Sequence, residues 1–267
     1  MRWSSGFRDT MRFVGLIAGF AIAAAALSGC GGDDEAEPAP TGTASSSAIA
    51  SPTSEPAVED RAEAEALLKA AALAVEDLPE GFSLDEEKFT TNEELSKDES
   101  PYPGAPTLAD LNRFGRILGY EADYRRPASE TLTGATLLLQ IGTDVYRDAK
   151  GADEHLELVR AQPSDPEFIN VAQEQFADGS GMEVRDADMS PMSFAKVGED
   201  RMAFEIKFKT HDPDLDRDFD VFVQFVVVRR ERGIGSITVT AIGAPHPVGE
   251  LEDLARTFDE RMKDALE

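Results

Sequence analysis

A single cysteine, Cys30, is the feature that most constrains how this chain can fold. Exported proteins often carry paired cysteines, but one thiol cannot form an intrachain disulfide. The folded part of the chain must therefore be stabilised by its hydrophobic core alone. Thiolate metal sites and thiol catalysis are excluded for every residue that follows Cys30.

The residues before Cys30 are typical of an export signal. Residues 13–27 carry no charge, and Arg2, Arg8 and Arg12 precede them. A basic start, an apolar run and small residues at the exit are typical of a secretory signal peptide. A membrane-spanning helix needs about 20 apolar residues, so a run of this length favours a cleaved signal. An ordinary secretory signal cut near Ala26 is the alternative.

Leu27, Ser28, Gly29 and Cys30 resemble the lipobox of bacterial lipoproteins. The resemblance implies that residues 1–29 are removed and that the Cys30 sulfur carries a diacylglyceryl group. Its partner would be the lipid bilayer, which would hold the chain on the extracytoplasmic face of the cell membrane.

Residues 30–59 are predicted to form a lipidated start and a disordered tether. They are rich in Ser, Thr, Ala, Pro and Gly, and such a composition buries too little apolar surface to offset the ordering entropy. As a flexible coil, the tether would hold the domain about 30 Å from the membrane. No second linker of this kind follows, so residues 60–267 are predicted to form a single domain.

The charge of the chain excludes one class of partner. It carries 26 basic and 52 acidic side chains, a formal net charge of −26. Such a surface repels phosphate groups, so we expect no nucleic-acid partner. Solubility, or adaptation to a salty or cation-rich envelope, explains the acidity better than a specific basic partner does.

Hydrophobic periodicity predicts an α+β fold. Residues 201–208 alternate strictly, which predicts an edge strand or a sheet face partly open to solvent. Residues 221–228 are apolar on both faces and should form a central strand, with residues 234–242 returning beside it. Residues 83–116 are polar and are predicted to be loop around one short helix. Helical spacing predicts helices at 58–75, 108–114, 148–160, 165–176 and 248–266, and further strands are predicted at 120–125 and 136–146.

This order of elements indicates an antiparallel sheet with helices packed on at least one face and flanked by N- and C-terminal helices. Three parts of the chain resemble lipid-anchored actinobacterial α+β domains: LLKAAALAVEDLPEGF at 67–82, VYRDAKGADEHLELVR at 145–160, and VGEDRMAFEIKF with VVVRRERGIGSITVTA. This group includes PsbP-like lipoproteins and the extracellular sensor domains of mycobacterial Ser/Thr receptor kinases. The resemblance implies a non-catalytic binding, scaffold or sensor role, and it identifies no ligand-binding residue.

An acidic stretch is the best candidate for a metal site. Ca²⁺ prefers several carboxylate oxygens, and the alternating spacing is similar to the start of an EF-hand loop. However, Arg217 stands where that loop needs glycine, and Val223 stands where it needs a bidentate glutamate. The alternative is a solvated loop that enters the central strand. The five aspartates are Asp212, Asp214, Asp216, Asp218 and Asp220.

Other reactive residue types lack the spacing that catalysis or metal binding requires. The three histidines show no zinc-site pattern; His155 is expected to be exposed on a helix, and His246 to lie in a turn between prolines. Ser180 is not in a nucleophile elbow. Met189 and Met192 are more typical of a core than of a copper site. We therefore predict no catalytic residue and no cofactor.

Two main hypotheses for function remain. The first is a binding or scaffold domain that contacts an envelope protein or a cell-wall component. The second is a carrier of an apolar, lipid-like ligand between the sheet and the helices, and a Ca²⁺-responsive module is a distant third. A cavity of several hundred Å³ would favour the carrier, whereas an exposed apolar patch or an open sheet edge would favour the partner-binding domain.

Replacement of Cys30 by serine should abolish lipid attachment, because serine lacks the thiol that is modified. We expect the unaltered chain to incorporate labelled palmitate in its bacterial host and to sediment with membranes. Cys30→Ser should do neither, whereas Ser28→Ala should do both. Label in the Cys30→Ser protein would contradict the assignment.

Overall fold

A computed structural model describes residues 58–97, 105–126, 136–180, 182–213 and 216–267. The predicted signal peptide, the lipobox with Cys30 and the tether lie outside these residues. Within the described ranges, no helix is both long and apolar enough to span a bilayer.

Seven strands form one antiparallel sheet in the order β1-β2-β3-β7-β6-β5-β4. Six helices accompany it, which confirms the predicted α+β class. The strands are β1 (Ser83–Thr90), β2 (Arg116–Arg125), β3 (Thr136–Tyr146), β4 (Glu183–Pro191), β5 (Asp200–Asp212), β6 (Arg217–Arg230) and β7 (Gly233–Ile242). The helices are α1 (Val58–Ala71), α2 (Asn92–Ser96), α3 (Leu108–Phe114), α4 (Ala149–Ala161), α5 (Pro166–Ser180) and α6 (Val248–Leu266).

The first and last helices, α1 and α6, pack against each other and cover one face of the sheet, called here the first face. The apolar stripe predicted for residues 248–266 is buried there, including Leu251, Leu254 and Phe258. Leu68 of α1 belongs to the same core cluster. Because this cluster also includes side chains from β2, β3, β6 and β7, it joins both ends of the described chain to the centre of the sheet.

The second face carries α3, α4 and α5. Phe176 of α5 stacks on Phe208 of β5 with ring centroids 4.7 Å apart, and Phe204 stacks on Phe225 of β6 at 4.6 Å. Helices therefore pack on both faces of the sheet. The second face is less completely covered toward β1, where Glu86 is exposed.

Residues 201–208 lie in β5, between β4 and β6, so they do not form an edge strand. The other predicted alternative, a face partly open to solvent, is confirmed. Phe204, Ile206 and Phe208 are buried under α5, whereas Glu205 and Lys207 on the opposite face are partly exposed.

The prediction of loop over residues 83–116 is wrong in part, because β1 and α2 lie there. Nearly every β1 side chain before Phe89 is exposed, so the strand has no apolar alternation that could reveal it. Helix α2 is stabilised by a capping box, in which Thr91 Oγ1 accepts a hydrogen bond from Glu94 N. The edge strand β4 was also missed, and α1 ends at Ala71, before the predicted boundary.

Truncation of Phe258 tests the core on the first face. Phe258→Ala should lower the free energy of unfolding by about 3–5 kcal/mol, because it removes a fully buried ring and leaves a cavity. Val248 starts the same helix and is 39 % exposed, so Val248→Ala should change stability by less than about 0.5 kcal/mol. Urea denaturation followed by circular dichroism measures both. Equal losses would contradict the packing described.

Candidate functional site

The predicted acidic loop is a hairpin between β5 and β6. Asp212 is the last residue of β5, and Asp218 and Asp220 lie within β6, so three of the five aspartates belong to strands rather than to a loop. Asp216 lies in the turn with a positive φ of 46°, and Asp214 is outside the described residues.

Basic side chains pair with the aspartates of the hairpin that lie in β6. Asp218 contacts His211 Nδ1 at 2.8 Å and Arg185 at 3.1 Å, and the hydrogen bond with His211 lowers the pKa of Asp218. Asp220 pairs with Lys207 at 2.9 Å. Among the described residues, no group of three or more His, Cys, Asp or Glu side chains is arranged to hold a metal ion.

His155 is buried, so the expectation that it is exposed is wrong. It shares the inward side of α4 with Ala152, Leu156 and Val159, which are also buried. Its ring stacks on Phe114 with centroids 5.3 Å apart. The acidic neighbours of His155 in sequence suggested exposure, but the three- and four-residue helical spacing decides which residues face the sheet.

His155 belongs to a buried polar network with Arg116, Asp144 and Tyr146. Arg116 donates from Nε to Asp144 Oδ1 at 2.9 Å, and its Nη1 donates to the Thr90 carbonyl at 3.0 Å. The Tyr146 hydroxyl is hydrogen-bonded to His155 Nδ1 and interacts with the Asp144 carboxylate. The network therefore ties β1, β2, β3 and α4 together.

Burial dominates the electrostatics of this network. It raises the pKa of Asp144 and that of Tyr146, although the Arg116 guanidinium opposes both shifts. All four side chains are buried. Of the four, Asp144 alone borders the small depression on the second face described below, so the network is suited to holding elements together.

His246 lies in the connection between β7 and α6, where a turn was predicted, and its side chain is buried. Its Nδ1 is 2.7 Å from Thr136 Oγ1. The Gln224 side chain accepts from His246 N at 2.9 Å and donates to its carbonyl at 3.2 Å. Burial lowers the pKa of His246, which favours the neutral ring.

A polar depression crosses β2, β3 and β7 on the second face. We call it the polar groove, and it is lined by Glu121, Asp123, Gln140, Gly142, Ser236 and Thr238. The strand register places these residues in two rows across the sheet. One row is Asp123, Gln140 and Thr238, and the other is Glu121, Gly142 and Ser236.

Small residues create this depression. A Cβ atom added at Gly142 would lie 2.5 Å from Ser236 Oγ, so any larger residue would fill the space. The cavity volume of the groove is about 20 Å³. A single water needs about 10–15 Å³ on this measure, so the groove admits one water-sized group.

Asp123 is the electrostatic centre of the groove. Burial raises its pKa, and the negative charges of Glu121 and Glu86 raise it further, against the hydrogen bond from Gln140 and the charge of Arg125. Gln140 Nε2 donates to Asp123 Oδ1 at 2.7 Å. The Gln140 side chain is 7 % exposed, and its Oε1 has no hydrogen-bond partner among the described residues.

An apolar crevice adjoins the polar groove at Ser236 and Thr238. It lies between α4, α5 and the second face, and its walls include Phe168, Phe204 and Phe225. Its cavity volume is only about 30 Å³. Ligand pockets typically measure about 300–1,000 Å³, so this crevice cannot enclose a lipid chain in the conformation observed.

Gly119 has no side chain, and the buried Arg116–Asp144 pair occupies the space that a side chain would fill. A Cβ atom there would clash with the Arg116 guanidinium and the Asp144 carboxylate. Gly119→Ala should therefore separate the pair and destabilise the fold by about 3–5 kcal/mol, as expected when a buried ion pair is broken. A Cβ at Gly249 of α6 meets nothing within 4 Å, so Gly249→Ala is the matched control. Thermal denaturation should show a large loss only for Gly119→Ala, and equal midpoints would refute the clash.

Comparison with known proteins identifies no family for this chain. No family model matches it, and no curated protein matches it. Among solved structures, the extracellular domain of PknH from Mycobacterium tuberculosis is similar over 79 % of this chain and 96 % of that one, with 9 % sequence identity and a TM-score of 0.39. A TM-score this low carries no inference about the function of this chain.

Proposed function

We propose that this chain is a lipoprotein of the extracytoplasmic membrane face, anchored through Cys30, whose domain binds an envelope protein or a cell-wall component without catalysis. The observation that carries the proposal is the open β1 edge of the sheet. Strand β1 pairs with β2 alone in the described sheet, and its side chains from Ser83 to Lys88 are exposed. Unpaired backbone groups of an edge strand can pair with a strand from a partner.

Leu84 adds an apolar contact to this edge. Its side chain is 47 % exposed, the largest value among the exposed large apolar residues that the structure describes. Asp85 pairs with Arg125 and Glu87 with Lys69, but Glu86 has no ion pair among the described residues. Its charge discourages pairing of one copy with another, because like charges repel. A partner strand with basic side chains would meet no such barrier, and the complementary charge would favour encounter.

The positions of the reactive groups support a non-catalytic role. The Arg116–Asp144–Tyr146–His155 network resembles a proton relay in composition, but its side chains are buried, and the groove that Asp144 borders admits only a water-sized group. Catalysis needs such groups within reach of a substrate. We therefore assign this network to stability.

The carrier hypothesis rests on the apolar crevice between α5 and the sheet. The crevice is about 30 Å³, so α5 would have to move away from Phe204 and Phe208 before a lipid chain could enter. This movement would expose a stacked aromatic cluster to water, which favours the partner-binding domain over the carrier. The Ca²⁺-responsive module is weaker still, because Asp218 and Asp220 already pair with basic side chains.

A partner bound at β1 should be lost when Leu84 becomes charged. We expect native mass spectrometry of the chain, extracted with its anchor from host membranes, to show a second polypeptide. Leu84→Asp should abolish that species, because it removes the exposed apolar side chain from the contact and places there a charge that is costly to desolvate. Val248→Asp makes the same change at an exposed valine on α6 and should retain the partner.

Other outcomes of this measurement would contradict the proposal. Retention of the partner by Leu84→Asp would exclude β1 as the contact. A bound apolar molecule of low mass, with no second polypeptide, would favour the carrier instead.

A further inference from the structure

We propose that the polar groove is a binding site for a primary ammonium group. This group would lie above Gly142 and donate hydrogen bonds to the free oxygens of Asp123 and Gln140. The site goes beyond the partner contact at β1, because a small amine can occupy the groove without any strand pairing.

The groove presents hydrogen-bond acceptors that a donor group of a ligand could satisfy. Gln140 uses its Nε2 to donate to Asp123, which leaves its buried Oε1 as an acceptor without a partner in the described structure. A buried acceptor in this state costs free energy until a donor reaches it. Asp123 offers carboxylate oxygens, and the Ser236 hydroxyl can rotate to accept. Neutral acceptors beside a carboxylate favour a cation that carries several N–H groups.

The charges of the groove are only partly compensated. Lys88 pairs with Glu121 at 3.0 Å, and Arg125 pairs with Asp85 at 2.8 Å. Across the described ranges, no ion pair joins Asp123 or Glu86 to a basic side chain. These two residues lie opposite each other in β2 and β1. An incoming cation would therefore meet two carboxylates that no basic side chain in the described ranges neutralises through an ion pair.

Size and geometry select the ammonium group among cations. The cavity volume of about 20 Å³ suits a group as small as water, whereas a planar guanidinium is larger. Metal ions need several converging ligands, and the described residues contain no group of three or more His, Cys, Asp or Glu that could supply them. An ammonium needs only hydrogen-bond acceptors, which Gln140 supplies together with Asp123.

The protonation of Asp123 provides an independent readout. Burial, chiefly, and two neighbouring carboxylates raise its pKa, so ionisation of Asp123 is less favourable in the folded protein than in water. A group whose folded-state pKa is raised opposes folding at pH values above that pKa. Asp123→Asn should therefore keep or raise the melting temperature of the free protein. Binding of an ammonium should weaken as the pH falls through the raised pKa of Asp123.

The test is calorimetric titration of the full chain, in an uncharged detergent, with 1,4-diaminobutane. Asp123→Asn removes the charge, and Gly142→Ala narrows the groove without changing charge. Each should weaken binding by about tenfold or more, the effect expected when a charge-assisted hydrogen bond is lost. Asp188 is exposed on β4 of the same sheet. Asp188→Asn makes the same charge change and should weaken binding by less than about twofold.

Two competitors separate recognition of the ammonium from general attraction to an acidic protein. Tetramethylammonium carries the charge without N–H donors, and CaCl₂ at equal ionic strength supplies a divalent cation. Neither should displace 1,4-diaminobutane. Three results would overturn the proposal. They are displacement of the diamine by either salt, equal weakening in Asp188→Asn, and no binding of either 1,4-diaminobutane or the lysine peptide described next.

The ammonium can come from a free amine or from a lysine side chain. A short peptide with blocked ends and one central lysine distinguishes these sources. Tighter binding of the peptide than of 1,4-diaminobutane would identify a polypeptide lysine, and the reverse would identify a free amine. Either result, with the variant pattern above, supports the site. The native mass spectrometry of Leu84→Asp does not depend on either titration. If the groove binds no amine, the proposed contact at β1 is therefore still tested separately.

Discussion

Burial of the central strands on both faces is the constraint on which the rest of this structure depends. The chain has a single cysteine, so no intrachain disulfide can reduce the entropy of the unfolded state. Strands β3, β6 and β7 instead bury side chains under α1 and α6 on one face and under α4 and α5 on the other. The residues at 221–228 are apolar at nearly every position because both of their faces are covered.

The two clusters of charged and polar side chains lie toward the β1 side, where helices no longer cover both faces of the sheet. The Arg116–Asp144 pair lies toward the β1 side of the central strands and is hydrogen-bonded to its surroundings, as a buried charge must be. The polar groove lies on the same side, but its Asp123 carboxylate and Gln140 oxygen are incompletely satisfied. Natural proteins break local rules of stability mainly at functional sites, so the contrast between these two clusters separates a structural role from a binding role.

The sequence predicts the elements that are covered on both faces better than those at the margins. Helices α3 and α6 and strand β3 lie at their predicted bounds, because capping residues or strong apolar patterns define them. Strands β1 and β4 were missed because an edge strand exposes most of its side chains and therefore lacks the alternation that reveals a strand. The burial of His155 follows from helical spacing, which its charged neighbours obscured.

The polar groove could not be predicted, because its residues come from three strands and meet only through strand pairing. Glu121 and Asp123 were visible as polar positions of an alternating strand, but nothing local to them indicates that β3 contributes Gln140 and that β7 contributes Ser236. The free oxygen of Gln140 is likewise a property of the assembled sheet.

The pairing of α1 with α6 has a consequence for access to the molecule. Both ends of the described chain lie on the first face, whereas the polar groove opens on the opposite side of the sheet. A linker attached to the start of α1 therefore emerges on the face opposite the groove, and so would a bulky group fused after α6. The domain can remain tethered to a surface while its groove faces outward.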